Sequence, residues 1–265
     1  MDEESIAKAA DQLLGAYASR VPVAPLTSAY PGLSTDDAYA IQLAQVTAWT
    51  AAGARVKGHK VGLTSAAMQR QFGVEQPDFG HLLDTMFLAE GTTADYDQLL
   101  QPRAEPEMAF VLGRALRGPG VTVAEALAAV DFVLPALEII DSRITDWKIT
   151  LPDTIADNAS SGAVVLGARP VRPQEVDLAL AGCLLHRNGR IEGTGAGGAV
   201  LGSPVNALVW LANTLGPRGV TLEAGHVVLP GSVCAAIPFG PGDTVSATFD
   251  RIGSVSITFS AKSSQ

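Results

Sequence analysis

Apolar residues near the start of the chain recur every three or four positions, which is the spacing of an amphipathic helix. Leu13 and Tyr17 belong to a first series, and Ile41 and Trp49 belong to a second one that follows a proline-rich turn. This pattern ends shortly after the second series. We therefore predict a helical N-terminal cap over residues 1–55.

From Arg55 onward the pattern changes to short apolar runs separated by glycine and proline, which is typical of strands. The predicted strands are 56–63, 108–112, 132–140, 163–166, 178–186, 244–249 and 255–259. Most of them are candidates for antiparallel pairing. Asn188-Gly189 is the two-residue signal of a tight hairpin, and a second short turn lies at 250–253.

Two predicted helices interrupt the strands. Thr122 and Glu125 have the spacing of a capping box, and Ser203-Pro204 supplies a cap and a first-turn proline. We find no repeat and no long linker. The sequence therefore predicts an α+β fold in which the helical cap accompanies a twisted, mostly antiparallel β core over residues 56–265. The two parts can be counted as one domain.

Composition and charge exclude several classes of protein. Lysine and arginine number 18 against 27 aspartates and glutamates, and the net charge of −9 repels nucleic acid. No apolar run is long enough to span a membrane. The acidic start of the chain lacks the basic head of a signal peptide, which favours a cytoplasmic protein. Cys183 and Cys234, the only cysteines, have no metal-binding spacing.

Three glutamates lie in unusually apolar surroundings. Glu105 and Glu107 are two residues apart in a strand-like run, so they project from the same face, and Glu138 lies within a second apolar run. Converging carboxylates without histidine or cysteine suit Mg²⁺ or Mn²⁺. In the alternative interpretation, the first two mark a solvated strand end and Glu138 pairs with an arginine such as Arg143. Spacing alone leaves both open.

Lys60 lies in the strand-like segment GHKVGLTS, between glycines that permit a ligand to approach the backbone. An apolar pocket or a neighbouring metal would lower the pKa of this lysine and suit it to proton transfer. The simpler interpretation is a solvated surface lysine.

Four segments in this order, GHKVGLTSAAMQRQFGVEQPDFGHLLD, RAEPEMAFVLG, PALEIIDSRITDW and DNASSGAVVLG, resemble the fumarylacetoacetate hydrolase superfamily. The similarity is greater to its 2-oxopent-4-enoate (2-hydroxypenta-2,4-dienoate) hydratase branch, which serves aromatic degradation. It covers nearly the whole chain. It implies the β-roll or barrel of the family's C-terminal domain, and a homo-oligomer such as a pentamer or decamer.

The resemblance also implies roles for individual residues. The implied site consists of the metal ligands Glu105, Glu107 and Glu138, the catalytic Lys60 and Asp78, and the substrate-binding Gly62, Leu63 and Ser160. The implied cofactor is Mg²⁺ or Mn²⁺. The implied substrate is a small 2-oxo- or 2-hydroxy-enoate, to which water is added.

Three rival functions follow from the same sequence. The nearest is 2-oxo-3-hexenedioate (4-oxalocrotonate) decarboxylase, although an acid at Asp78 resembles the hydratase pattern. A hydratase for a longer dicarboxylate would need a further basic group in the pocket, which the sequence does not locate. The glycine-rich segment 193–198 matches a nucleotide-binding pattern, but it follows a hairpin strand and the next helix begins only after Ser203.

Overall fold

The computed structural model describes residues 1–262, without the side chains of residues 71 and 72. Within this range the helices are α1 (Glu3–Ser19), α2 (Leu26–Ala29), α3 (Thr35–Ala51), α4 (Ala66–Phe72), α5 (Val123–Ala129), α6 (Leu151–Ala156) and α7 (Pro204–Leu215). None of these helices has both the length and the hydropathy needed to span a bilayer.

The strands form two sheets whose pairing is mainly antiparallel. They are β1 (Val56–Gly62), β2 (Asp78–Leu83), β3 (Phe87–Leu88), β4 (Thr93–Ala94), β5 (Pro102–Leu112), β6 (Val130–Asp141), β7 (Ser161–Leu166), β8 (Gly182–Arg187), β9 (Arg190–Ala196), β10 (Val227–Leu229), β11 (Ile237–Pro238), β12 (Thr244–Phe249) and β13 (Gly253–Phe259). The larger sheet has the order β2-β1-β10-β5-β6-β7-β3, with β11 also on β5, and the smaller has the order β4-β13-β12-β8-β9. The expected α+β architecture is confirmed.

The long hairpin of β5 and β6 lies at the centre of the larger sheet. Its register runs from Pro102 opposite Asp141 to Leu112 opposite Val130. Buried apolar residues from both sheets and from α7 form one large core beside it. β5 begins at Pro102 and not at the predicted Met108, because the residues that precede Met108, several of them polar, also pair with β6.

The N-terminal helices are joined to the rest of the chain by apolar contacts and by buried amides. Their core includes Ile144 and Ile155 from later in the chain. The amide of Gln42 donates to the carbonyls of Phe79 and Ile155, at 3.0 and 2.8 Å. Each bond connects α3 to a different segment. The hydrogen bonds thereby fix the orientation of these helices against β2 and α6.

Local signals in the sequence locate several element ends correctly. Thr122 and Glu125 form the predicted capping box, and Asn188 and Gly189 both have the positive φ of the predicted hairpin turn. Ser203 is the N-cap residue of α7 but its side chain makes no capping bond. The predicted strand 178–186 is shorter at its start, since β8 begins at Gly182.

Several elements have no counterpart in the prediction. These are β2, β3, β4, α4, α6, β10 and β11. All are short. Every residue of β2 is buried, so its burial pattern has neither the two-residue period of a half-exposed strand nor the 3.6-residue period of an amphipathic helix.

A group of histidines packs between β1, β2 and the start of β10. The ring of His59 lies 4.9 Å from that of His81 and 6.2 Å from that of His226. His59 is 1% exposed, and neither of its ring nitrogens has a hydrogen-bond partner. Burial, reinforced by the two neighbouring histidines, lowers the pKa of His59 well below its ordinary value.

We expect His59→Leu to weaken the pH dependence of folding stability. The folded protein resists protonation of His59, whereas the unfolded chain protonates it near its ordinary pKa. Wild-type stability is therefore lost as the pH falls below about 6.5, by up to about 1.4 kcal/mol per pH unit from this group. Urea unfolding at pH values from about 7 to 5 measures the difference between the two proteins.

His59→Gln is the control, because it keeps a polar side chain that does not titrate in this range. It is expected to show the same reduced slope. A slope equal to that of wild type in both variants would contradict the assignment.

Candidate active site

The three predicted carboxylates come together on the β5–β6 hairpin. Glu105 and Glu107 project from the same face of β5, as the alternation of a strand requires, and Glu138 lies directly opposite Glu105 on β6. One oxygen from each carboxylate lies within 4.8 Å of the others. The carboxylates therefore form one cluster.

Most of the buried oxygens in this cluster accept no hydrogen bond. Glu107 is 0% exposed and Glu138 is 1% exposed. The backbone amide of Gly231 donates to Glu107 Oε2 at 2.7 Å, but Glu107 Oε1 and both oxygens of Glu138 accept no hydrogen bond. Buried carboxylates in this state need a cation. Their oxygens suit a hard divalent ion such as Mg²⁺ or Mn²⁺.

Burial and mutual repulsion raise the pKa values of this cluster. For Glu105, desolvation followed by the charge of Glu138 raises the pKa to about 7. The same two causes raise the pKa of Glu107 well above its ordinary value. A divalent cation among them would remove the repulsion that favours their protonation.

Lys60 supplies one positive charge at the edge of the cluster. Its Nζ lies 3.3 Å from Glu138 Oε1, with both side chains buried. Burial by itself lowers the pKa of Lys60, but the carboxylates of Glu138, Asp78, Glu105 and Glu107 reverse this effect and the pKa is raised. The lowered pKa expected for a lysine in an apolar pocket or beside a metal therefore does not describe Lys60 in this acidic cluster.

The alternative pairing of Glu138 with Arg143 is also wrong. Arg143 is fully buried two residues beyond the end of β6 and forms an ion pair with Asp157. Its guanidinium also donates to the carbonyls of Ser161 and Asp157, at 2.9 and 2.8 Å. These bonds leave Arg143 engaged with the loop that precedes β7.

Asp78 lies beside Lys60 because β1 and β2 are paired. Their register places Gly62 opposite Asp78 and Lys60 opposite Gly80. A Cβ atom on Gly62 would lie 2.1 Å from Asp78 Oδ1 and 3.5 Å from Lys60 Nζ. Only glycine leaves room for both groups at this point. Asp78 is 2% exposed, its Oδ1 has no hydrogen-bond partner, and burial raises its pKa.

Ser160 is held by an unusual left-handed turn. Asn158, Ala159 and Ser160 have φ values of 51, 51 and 54°, which residues other than glycine rarely adopt. The Asn158 side chain exchanges two hydrogen bonds with the backbone of His81, at 2.8 and 2.9 Å. The Ser160 hydroxyl lies 3.2 Å from that of Thr154. Backbone strain of this kind is frequent at functional sites.

A cavity of about 580 Å³ brings most of the predicted site residues together. Its wall includes Lys60, Gly62, Leu63, Asp78, Glu105 and Ser160. Glu107 and Glu138 lie behind this surface, which agrees with their near-complete burial. A larger cavity, about 790 Å³, borders α1 and α3 and includes none of the predicted residues.

Sequence reasoning missed Arg103 and Trp147, which also line the first cavity. Arg103 precedes Glu105 by two residues on the same strand, so the alternation that linked Glu105 to Glu107 also indicates Arg103. Trp147 gives no such signal, since it lies in an irregular turn after β6.

The glycine-rich segment serves close packing behind the cavity wall. A Cβ atom on Gly195 would lie 1.9 Å from the carbonyl oxygen of Val233, and one on Gly197 would lie 1.8 Å from that of Leu178. The segment ends β9 and enters a short 3-10 turn, and α7 begins only at Pro204. It thus lacks the glycine-to-helix transition of a dinucleotide site.

Comparison with known proteins identifies relatives over nearly the whole chain. Residues 57–260 match the family model described as fumarylacetoacetate (FAA) hydrolase C-terminal. The 2-keto-4-pentenoate hydratase of Paraburkholderia xenovorans (strain LB400) is 46% identical over 252 residues, 95% of this chain and 94% of the relative. The 2-hydroxypent-2,4-dienoate hydratase of Pseudomonas putida is 50% identical over 221 residues, 83% of this chain and 100% of the relative.

A solved structure is also similar. The 4-oxalocrotonate decarboxylase from Pseudomonas putida G7, complexed with magnesium and adipate, has a TM-score of 0.94 and 35% identity, and the match covers 98% of each chain.

We expect Glu107→Gln to weaken binding of a divalent cation. The substitution keeps the shape of the side chain but removes one charge from a fully buried oxygen ligand. The loss in affinity is expected to reach about a hundredfold, since even residues that only support a metal ligand contribute about 10- to 100-fold. Calorimetric titration of the metal-free protein with Mn²⁺ measures it.

Glu192→Gln is the matched control, because Glu192 is exposed on β9 and pairs with Arg187. It is expected to bind Mn²⁺ like wild type. Equal affinity of the Glu107 variant would remove Glu107 from the ligand set.

Proposed function

The chain belongs to the fumarylacetoacetate hydrolase family, and we propose that it hydrates 2-hydroxypenta-2,4-dienoate to 4-hydroxy-2-oxopentanoate during the breakdown of aromatic compounds. The observation that carries the proposal is the cluster of buried, largely unpartnered carboxylates beside Lys60 and Asp78 in one cavity. The hydratases at 46 and 50% identity support the choice of reaction.

In this proposal Glu105, Glu107 and Glu138 bind Mg²⁺ or Mn²⁺. Such a cation supplies Lewis-acid polarisation of the oxygens at C1 and C2 of the substrate. The protein itself contributes the fixed geometry of three ligands on two paired strands. It also excludes water from Glu107 and Glu138, which strengthens every charge interaction at this point.

The reaction needs proton transfers at defined carbon atoms. The dienol gains a proton at C5 and loses the proton of its C2 hydroxyl, which yields a conjugated 2-oxo-3-enoate. Water then forms a bond from its oxygen to C4, and C3 gains a proton. The sum of these steps is the addition of one water molecule.

We assign the proton transfers to Lys60 and Asp78. The ammonium group of Lys60 is the proton donor that faces the cavity, and its ion pair with Glu138 holds it beside the metal ligands. The free oxygen of Asp78 is suited to orient water and accept its proton. Close approach of the two groups across Gly62 permits them to act on adjacent carbon atoms.

The remaining predicted residues shape the substrate pocket. Gly62 and Leu63 line the cavity next to Lys60, and Leu63 has a positive φ of 55°. Ser160 presents a hydroxyl to the same cavity from its left-handed turn. We propose that Ser160 donates a hydrogen bond to the carboxylate end of the substrate.

A second candidate function is decarboxylation of 2-oxo-3-hexenedioate. The structural similarity to 4-oxalocrotonate decarboxylase, at a TM-score of 0.94, favours it. Both reactions use a 2-oxo acid held at its C1 and C2 oxygens. They differ in the product, because one adds water and the other releases carbon dioxide.

We also propose that the enzyme is a homo-oligomer, a pentamer or decamer, and that it acts in the cytoplasm. The two free cysteines suit a reducing compartment. The oligomer is what the family resemblance implies. Light scattering coupled to size-exclusion chromatography tests the assembly.

We expect metal-free protein to consume freshly generated 2-hydroxypenta-2,4-dienoate only after Mg²⁺ or Mn²⁺ is added. The loss of the dienol's ultraviolet absorbance gives the rate, and mass spectrometry of the product is expected to show the gain of one water. Inertness toward this substrate, with release of carbon dioxide from 2-oxo-3-hexenedioate, would assign the decarboxylase instead.

Lys60→Met is expected to lower kcat by about 10²- to 10⁴-fold, the usual contribution of a general acid or base. Affinity for Mn²⁺ is expected to persist, since the substitution removes a positive charge and no metal ligand. Lys57→Met on the exposed part of the same strand is the control. Near-normal turnover of the Lys60 variant would exclude the proposed proton transfer.

A further inference from the structure

Arg103 is a cation in the cavity wall whose guanidinium lacks a close ion-pair partner among the described residues, although its charge interacts at longer range with that of Glu105. It lies on β5 two residues before Glu105, on the same face of the strand, and it lines the cavity. Within residues 1–262 its guanidinium forms no ion pair or hydrogen bond. The planar guanidinium binds a carboxylate through two parallel hydrogen bonds. A free guanidinium in a substrate cavity therefore indicates a site for a carboxylate.

Trp147 holds the Arg103 guanidinium in place. The Cζ atom of Arg103 lies 4.5 Å from the centre of the Trp147 ring. Trp147 has a positive φ of 56°, and its indole nitrogen donates to the carbonyl of Gln101 at 3.0 Å. Stacking on the ring face stabilises the cation without using its N–H groups. The donors of Arg103 thus remain free for a ligand.

The backbones of Arg103 and Lys60 are level with different parts of β5. Lys60 pairs with Leu229 on β10, and β10 pairs Val228 with Phe110 on β5. The backbone of Lys60 is therefore level with the part of β5 that follows Glu107, whereas Arg103 precedes Glu105. Of these two cations, Lys60 is paired with Glu138, and Arg103 is not paired with a carboxylate within the described residues.

We propose that Arg103 binds the C1 carboxylate of the substrate and that Trp147 positions Arg103 for this contact. The inference rests on the proposed function, in which C4 and C5 react beside Lys60 and Asp78, so that the acid end points to Arg103. Among the described residues of the cavity wall, Lys60 and Arg103 are the only cations. The cavity wall also includes the apolar side chains of Leu63 and Met68, which suit an uncharged substrate tail.

The first test measures binding of 2-oxopentanoate, a saturated 2-oxo acid that the enzyme cannot hydrate. With Mg²⁺ present, Arg103→Met is expected to raise its Kd by about 10- to 100-fold, the loss of a hydrogen-bonded charge pair. Arg103→Lys is expected to recover part of this loss, because it keeps the charge but not the fork. Mg²⁺ affinity is expected to stay at the wild-type level.

Lys148→Met is the matched control. Lys148 is the next residue after Trp147, is exposed, and pairs with Asp146 at 3.0 Å. It is expected to bind 2-oxopentanoate like wild type. Equal binding by the Arg103→Met variant, or a loss of Mg²⁺ affinity in that variant, would overturn the proposal, since the effect would then be absent or due to the metal ligands.

The second test compares 2-hydroxypenta-2,4-dienoate with the longer dicarboxylate 2-hydroxyhepta-2,4-diene-1,7-dioate. If Arg103 binds the C1 carboxylate, Arg103→Met raises KM by the same factor for both. A loss confined to the dicarboxylate would mean that Arg103 binds the distal carboxylate, and would overturn the proposal. Failure of wild type to hydrate either substrate would refute the proposed function, while binding of 2-oxopentanoate still reports on Arg103.

A double-mutant cycle tests the role of Trp147. Trp147→Leu is expected to weaken binding of 2-oxopentanoate by a few-fold in the wild-type background, in keeping with a contribution of about 0.5–1 kcal/mol from an exposed cation–π pair. It is expected to have no effect in the Arg103→Met background. An equal effect in both backgrounds would show that Trp147 acts independently of Arg103, which would overturn the positioning role.

Discussion

The clustering of three carboxylates, two of them fully buried, beside Lys60 is the interaction on which this structure depends. Glu105, Glu107 and Glu138 carry more negative charge than Lys60 neutralises, and solvent does not reach Glu107 or Glu138. Burying this excess negative charge is unfavourable in free energy unless a cation neutralises it. The pairing of β5 with β6 holds the glutamates together despite their repulsion, because the ladder extends on both sides of them. Folding of the hairpin therefore prepares a metal site.

Around this cluster the cavity is built from segments whose backbone is under constraint. Leu63, the turn from Asn158 to Ser160, and Trp147 all have positive φ values, although none of them is glycine. Each is held by contacts from another part of the chain, such as the hydrogen bonds between Asn158 and the backbone of His81. Strained turns of this kind give hydroxyl and aromatic side chains a fixed direction, which a flexible loop does not provide.

The N-terminal helices contribute to the same rigidity. Gln42 on α3 bonds to the segments that carry Phe79 and Ile155, and the ring of His81 lies 3.0 Å from the Gln42 side chain. Asp78 begins the strand to which Phe79 and His81 belong, so α3 supports the position of Asp78. Elements far from the cavity in sequence thus determine the geometry of the group that we assign to water activation.

Local patterns in the sequence predicted the features that depend on interactions between neighbouring residues. Strand alternation put Glu105 and Glu107 on one face, the capping box of Thr122 and Glu125 opened α5, and the Asn188-Gly189 turn formed, because these features follow from local backbone geometry. Local sequence also singled out Glu138 and Lys60 but left their roles open. Family resemblance assigned those roles and added Asp78, Gly62, Leu63 and Ser160. Only the tertiary structure paired Glu138 with Lys60 and not with Arg143, formed β2 from a segment without periodicity, and placed Arg103 over Trp147. These outcomes depend on the register of distant strands and on the packing of the whole core, which no local pattern encodes.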